Sequence, residues 1–126
     1  MALLSACGSY TPSAVENRAN LPPCGEYEIG NEPSSQERLR KNRCMLEALA
    51  EGRQAELLVT LLPIDGGRVT EYVRVRGADH IEVFVDSTRD TEANPRAWSR
   101  WLCSDLTENA GYLERLGCRE IGLDAS

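Results

Sequence analysis

The chain has one histidine, His80, and one lysine, Lys41, among 126 residues. A general base or a metal ligand usually needs convergent partners, so a lone histidine at the start of a strand pattern reads as a surface residue. No C-x-x-C pair is present. Zinc sites favour such close spacing, and no metal is expected. No serine stands in a G-x-S-x-G elbow. Gly66-Gly67 precedes a strand pattern rather than a helix, so it is a turn and not a phosphate loop. No apolar run approaches the ~18 residues that cross a bilayer, and there are no internal repeats. These absences argue against an enzyme and against a cofactor. A small hydrolase is the least supported class.

Charge narrows the partners. The formal net charge is -6. Phosphate backbones need a basic face, so nucleic acid is not expected as a partner. The basic residues are almost all arginine, which reads as genomic base composition. The length suits one domain.

The N-terminus does carry a motif. Leu4-Ser5-Ala6-Cys7 looks like a bacterial lipobox, which would make Cys7 the lipid attachment site. The n-region and h-region of a secretory signal do not fit into four residues, so a start upstream of Met1 is expected, the alternative being a degenerate motif in which Cys7 is an ordinary residue. Residues 8–23 are rich in Ser, Pro, Asn and Thr, a composition that buries little apolar surface. The expected organisation is therefore a signal remnant over 1–7, a flexible tether over 8–23 and one domain over 24–126. The protein would sit outside the cytoplasm, anchored to the cell membrane through the lipid on Cys7.

Cys24, Cys44, Cys103 and Cys118 remain. An even count in a small exported domain implies two disulfides. Three pairings are possible on paper, and local pairing, Cys24–Cys44 with Cys103–Cys118, is expected. Each bridge would close a loop of about 15–20 residues, worth ~3 kcal/mol in the loop-entropy view.

Periodicity supplies the elements. Ser34-Ser35-Gln36-Glu37 is a capping box that opens a helix, with Leu39, Leu46, Leu49 and Ala50 on one stripe and Gly52 as the stop. Arg38, Arg40, Lys41 and Glu47 can face water. Residues 56–62 form a nearly continuous apolar strand. Asp65-Gly66 signals a turn. Residues 68–76 and 80–86 alternate with period two, joined by the turn at 77–79. Residues 98–103 make a fourth strand, and 112–118 is either a fifth or a helical turn. One polar face per strand implies a sheet covered on one side. The expected fold is α+β, one N-terminal helix packed on an antiparallel sheet of four to five strands.

This order of parts resembles a family of small exported bacterial proteins, the domain of unknown function 4362. The carrying residues are Asp86-Ser87-Thr88-Arg89-Asp90, which match that family's Asp-x-Thr-Arg-Asp segment at a strand end. The paired strands over 71–86 and the late cysteines Cys103 and Cys118 add to the likeness, which spans about residues 34–119. Cys24, Cys44 and the arginine-rich surface depart from it. The resemblance implies exported lipoproteins with a helix on a sheet, and no activity.

Two clusters are candidate sites. Asp86, Arg89 and Asp90 sit where a strand feeds a loop, a place where sites gather. Arg89 could fork onto either carboxylate to order the loop, or the group could exchange with a small ion. Trp98 and Trp101 flank Arg100. Exposed, they would form a partner patch; buried, they would fill the core, and burial of at least one is expected. The functional expectation is a non-catalytic binding or interaction module in the cell envelope. An inhibitor of an envelope enzyme is the alternative.

Overall fold

The computed structural model describes residues 11–30, 34–62, 66–90 and 97–124. Ser13–Glu16 is a short helix, α1. Pro23–Ile29 is the first strand, β1, and Ser35–Glu51 the long helix, α2. Then follow β2 (Ala55–Leu61), β3 (Val69–Gly77), β4 (His80–Asp86) and β5 (Trp98–Cys103). A hairpin of β6 (Asp105–Asn109) and β7 (Tyr112–Leu116) and a short strand β8 (Arg119–Ile121) complete the order.

The fold is α+β, and it corrects the expected layout in two ways. The main sheet has six strands in the order β1-β2-β3-β4-β5-β8, with β6 and β7 forming a separate pair. The long helix is not N-terminal. It crosses between β1 and β2, which therefore pair in parallel, while the other neighbours are antiparallel. The signal for β1 was weak: Pro-Cys-Gly-Glu-Tyr-Glu-Ile has two poor strand formers, Pro23 and Gly25, among its first three residues.

The capped helix forms as expected. Ser34 Oγ accepts from the Glu37 amide at 3.3 Å. Gly52, at φ 69°, closes the other end in the left-handed region. The buried stripe is shifted, however. It runs through Asn42, Met45 and Ala48, whereas Ala50 is exposed. A polar Asn42 hid that stripe from a hydrophobic count.

Residues on alternate sides of the strands divide into two faces. Leu57, Val59, Val73, Val75, Ile81 and Val83 meet Met45 and Ala48 in the core. The opposite face was expected to be bare. It is instead covered by residues 12–22, within the stretch expected as a flexible tether. Val15 and Leu21 are buried there, and the Arg74 guanidinium donates to the Ala19 carbonyl at 2.8 Å. Arg74, Glu82 and Phe84, on that face, are almost fully buried. Two apolar anchors among many polar residues were enough to dock the segment, because the sheet supplies arginine donors to its carbonyls.

Both expected disulfides are present. Cys24–Cys44 ties α2 to β1, and Cys103–Cys118 ties the end of β5 to the chain just after β7. Residues 112–118 are resolved as strand β7 and its exit, not a helical turn. The hairpin turns through Ala110 (φ 56°) and Gly111 (φ 88°), both left-handed as a two-residue turn of the mirror-image type requires. A side chain on Gly111 would lie 2.8 Å from the Arg38 guanidinium.

Candidate functional site

The hairpin β6–β7 lies beside α2 on the core face and is pinned from several directions. Tyr27, buried at the sheet, donates its hydroxyl to Asn42 Oδ1 at 2.8 Å. Asn42 Nδ2 and Arg38 Nε then both donate to the Gly111 carbonyl, at 2.9 and 2.8 Å. Arg38 also stacks over Tyr112. Expected to face water, Arg38 is thus a clamp between helix and hairpin. Burial pushes the Tyr27 hydroxyl up from its ordinary pKa, against the opposing pull of its hydrogen bonds. It stays a neutral donor.

Between the hairpin and the main sheet, a cleft of about 580 Å³ opens. Val59 and Val73 form its floor, and Ile29, Leu61 and Leu113 its walls. Arg115 on the hairpin donates to Glu71 on β3 at 3.0 Å and bridges the cleft. Arg115 also lies over the Trp101 ring, 5.6 Å from its centroid. The cleft joins an apolar floor to charged side chains, the Glu71–Arg115 pair and Glu114, a composition suited to an apolar group beside a polar one.

The opposite face carries a ladder of charges. Register places Glu56 opposite Arg74 and Arg74 opposite Glu82. Arg74 pairs with both carboxylates. Arg76 and Arg100 join Glu82 at 3.2 and 2.7 Å, and Arg18 from the covering segment joins Glu56 at 3.1 Å. Burial alone would raise the Glu82 carboxyl. The hydrogen bond and charge of Arg100, then Arg76 and Arg74, outweigh it and hold the group below the ordinary glutamate range.

The sequence-derived candidates fall in different places. Asp86 orders the turn after β4, accepting from the Thr88 amide at 2.9 Å and the Thr88 hydroxyl at 2.6 Å. Asp90 contributes its amide to the Ser87 carbonyl at 3.1 Å. The Arg89 side chain is exposed, while its carbonyl accepts from the Arg68 amide at 3.2 Å. The turn is therefore held by Asp86 and the backbone rather than by an arginine fork. Trp98 and Arg100 share the outer face, and Trp101 points to the inner one, since strand residues alternate. The three do not form one patch, and all are half-buried. Trp98 packs against Tyr72 with ring centroids 5.8 Å apart. His80 is exposed and lines a shallow hollow of about 240 Å³ with Asp79, Ser104 and Arg119. Cys7 and its lipobox lie outside the described residues, as do Asp65 and residues 91–96.

The Glu56–Arg74–Glu82 ladder was missed. Its signal was present: the 77–79 turn fixes β3 against β4 and puts an arginine opposite a glutamate. The cleft had no sequence signal, because it depends on where the hairpin packs.

No family model, no curated protein and no solved structure matches the chain. The resemblance to the domain of unknown function 4362 rests on its quoted residues alone. Among the described residues no cluster of metal-ligating side chains occurs, and no helix is long and apolar enough to cross a membrane.

Proposed function

We propose that this protein is an extracytoplasmic lipoprotein, anchored to the bacterial cell membrane through Cys7, that acts as a non-catalytic binding module. The observation that carries the reading is the cleft between the sheet and hairpin β6–β7. Its floor is apolar, and the core face on which it opens is stapled by two disulfides, one at β1 and one at the end of β5. A preformed cleft binds without the ordering cost that a loop would incur. The bridges themselves are consistent with an oxidising compartment. The occupant we assign is an apolar side chain of an envelope protein, seated against Val59 and Val73 with a polar neighbour near Glu71 and Arg115. Inhibition of an envelope enzyme is the form this binding takes if that partner is an enzyme.

Two measurements test the reading. The anchor is tested by mass spectrometry of the mature N-terminus, after expression from an upstream start; a free thiol at Cys7 in the membrane fraction overturns it. The cleft is tested by a photo-crosslinking residue placed in living cells at Leu113, in the cleft, or at Leu116, which is exposed outside it. A discrete adduct from position 113 and none from 116 is expected. Equal labelling from both, or none from either, removes the cleft as the binding site.

A further inference from the structure

The cleft beside the β6–β7 hairpin is not electrically neutral. Its cation is committed: Arg115 donates to Glu71 at 3.0 Å and lies over the Trp101 ring. Its anions are not all answered. Glu114 lines the cleft and is exposed. Its described partner is the neutral amide of Asn109, which donates to it at 3.3 Å. Glu108 stands directly opposite Leu113 in the hairpin register and is exposed as well. Directly opposed side chains share a face of a ladder, with Cβ atoms about 4.5–5.5 Å apart. The apolar wall that Leu113 gives the cleft is thus bordered by one carboxylate along the strand and another across it. Neither forms an ion pair among the described residues.

Two kinds of occupant fit this border badly. A wholly apolar segment would strip water from the carboxylates and return nothing, and an uncompensated charge is costly to bury. A segment with an acidic neighbour would meet like charge at Glu114 and Glu108, and would have to compete with Glu71 for Arg115. A lysine or arginine beside the apolar group meets both conditions. Its head pairs with the carboxylates, and its stem extends the apolar contact. The formal net charge of -6 on the whole chain favours the approach of the same partner.

We propose that the segment seated in the cleft is basic: an apolar side chain rests against Val59 and Val73, and a lysine or arginine close to it in sequence pairs with Glu114 and Glu108. The charge of the partner is an addition to the reading of the cleft as the binding site, and it stands only with that reading.

The test keeps the full chain in living cells, with the photo-crosslinking residue at Leu113. Tandem mass spectrometry of the adduct reads the partner sequence around the crosslinked residue. A lysine or arginine is expected at the adjacent or next-but-one position, the latter sharing a face in an extended segment. Glu108→Gln together with Glu114→Gln should lower the adduct yield by about threefold or more. Glu108→Lys together with Glu114→Lys should abolish it. Glu16→Gln together with Glu47→Gln removes the same charge from exposed positions outside the cleft and should leave the yield unchanged. Urea unfolding establishes that each variant is folded, and the partner sequence carries the test if one is not. An acidic or uncharged partner segment, a yield undiminished by the glutamine pair at 108 and 114, or an equal fall from the pair at 16 and 47 overturns the basic partner while the cleft stands. No adduct from position 113 in the otherwise unaltered chain removes the cleft itself, and the basic partner with it.

Discussion

Glu82→Gln removes the central acceptor of the charge ladder. The side chain is 3% exposed and takes hydrogen bonds from Arg74, Arg76 and Arg100. The amide keeps the shape but loses the charge, and it turns an N–H₂ toward guanidinium donors. Breaking a buried pair from one side costs about 3–5 kcal/mol. Arg74 retains Glu56, so the lower end, ~3 kcal/mol, is expected. That corresponds to a fall in melting temperature of roughly 9–15 °C for a domain of this size. Urea unfolding should show a lower midpoint with an unchanged slope. The pH dependence gives a second reading. The Glu82 carboxyl is held below its ordinary value in the folded state. Its contribution is therefore fully present above the unfolded glutamate pKa and is lost as pH falls through the folded one. The gap between wild type and Glu82→Gln should be widest at neutral pH and should narrow in that acidic window. A loss under about 1 kcal/mol, the range of exposed pairs, would show that the ladder is solvated, and so would a gap that ignores pH.

Three further outcomes are expected. Asn42→Ala strips Tyr27 and Gly111 of a shared partner and should cost about 1–3 kcal/mol, with hydrogen exchange fastest over residues 105–116. Replacing Cys103 and Cys118 together by serine should cost about 2–5 kcal/mol, and the loss of crosslinking from Leu113 should accompany it. Arg89→Ala should shift stability by under about 1 kcal/mol, because Asp86 and the backbone order the turn; a larger loss in denaturant unfolding would restore the arginine to that role.

Much of the scaffold was legible in the residues. The capping box gave α2 its start, Gly52 its end, and period-two alternation gave β3 and β4 nearly to the residue. Cysteine spacing gave the two bridges. What escaped depended on tertiary context. Residues 12–22 look like a tether because Val15 and Leu21 are their main apolar anchors, and a count of apolar residues does not register carbonyls waiting for Arg74. Arg74 and Glu82 read as a wet face because charge usually means water; their burial follows from the cover, not from the strand. The β6–β7 turn escaped because Ala110 occupies a left-handed position where asparagine or glycine is the usual signal. Trp98 and Trp101 were grouped by sequence proximity, although an odd spacing in a strand sends them to opposite faces.

The docked segment also sets how far the molecule reaches. Pro12 is already buried against the body, and five steps of chain separate it from Cys7. Fully stretched, they span at most about 18 Å, less than the thickness of a bilayer. With a lipid on Cys7, the domain would ride on a short leash rather than a long one. Any pull from the membrane would be borne first by the buried Pro12 and Val15, and then by the Arg18–Glu56 and Arg74–Ala19 contacts. A partner for the cleft would then have to come to the membrane surface, since the module could not swing out to meet it.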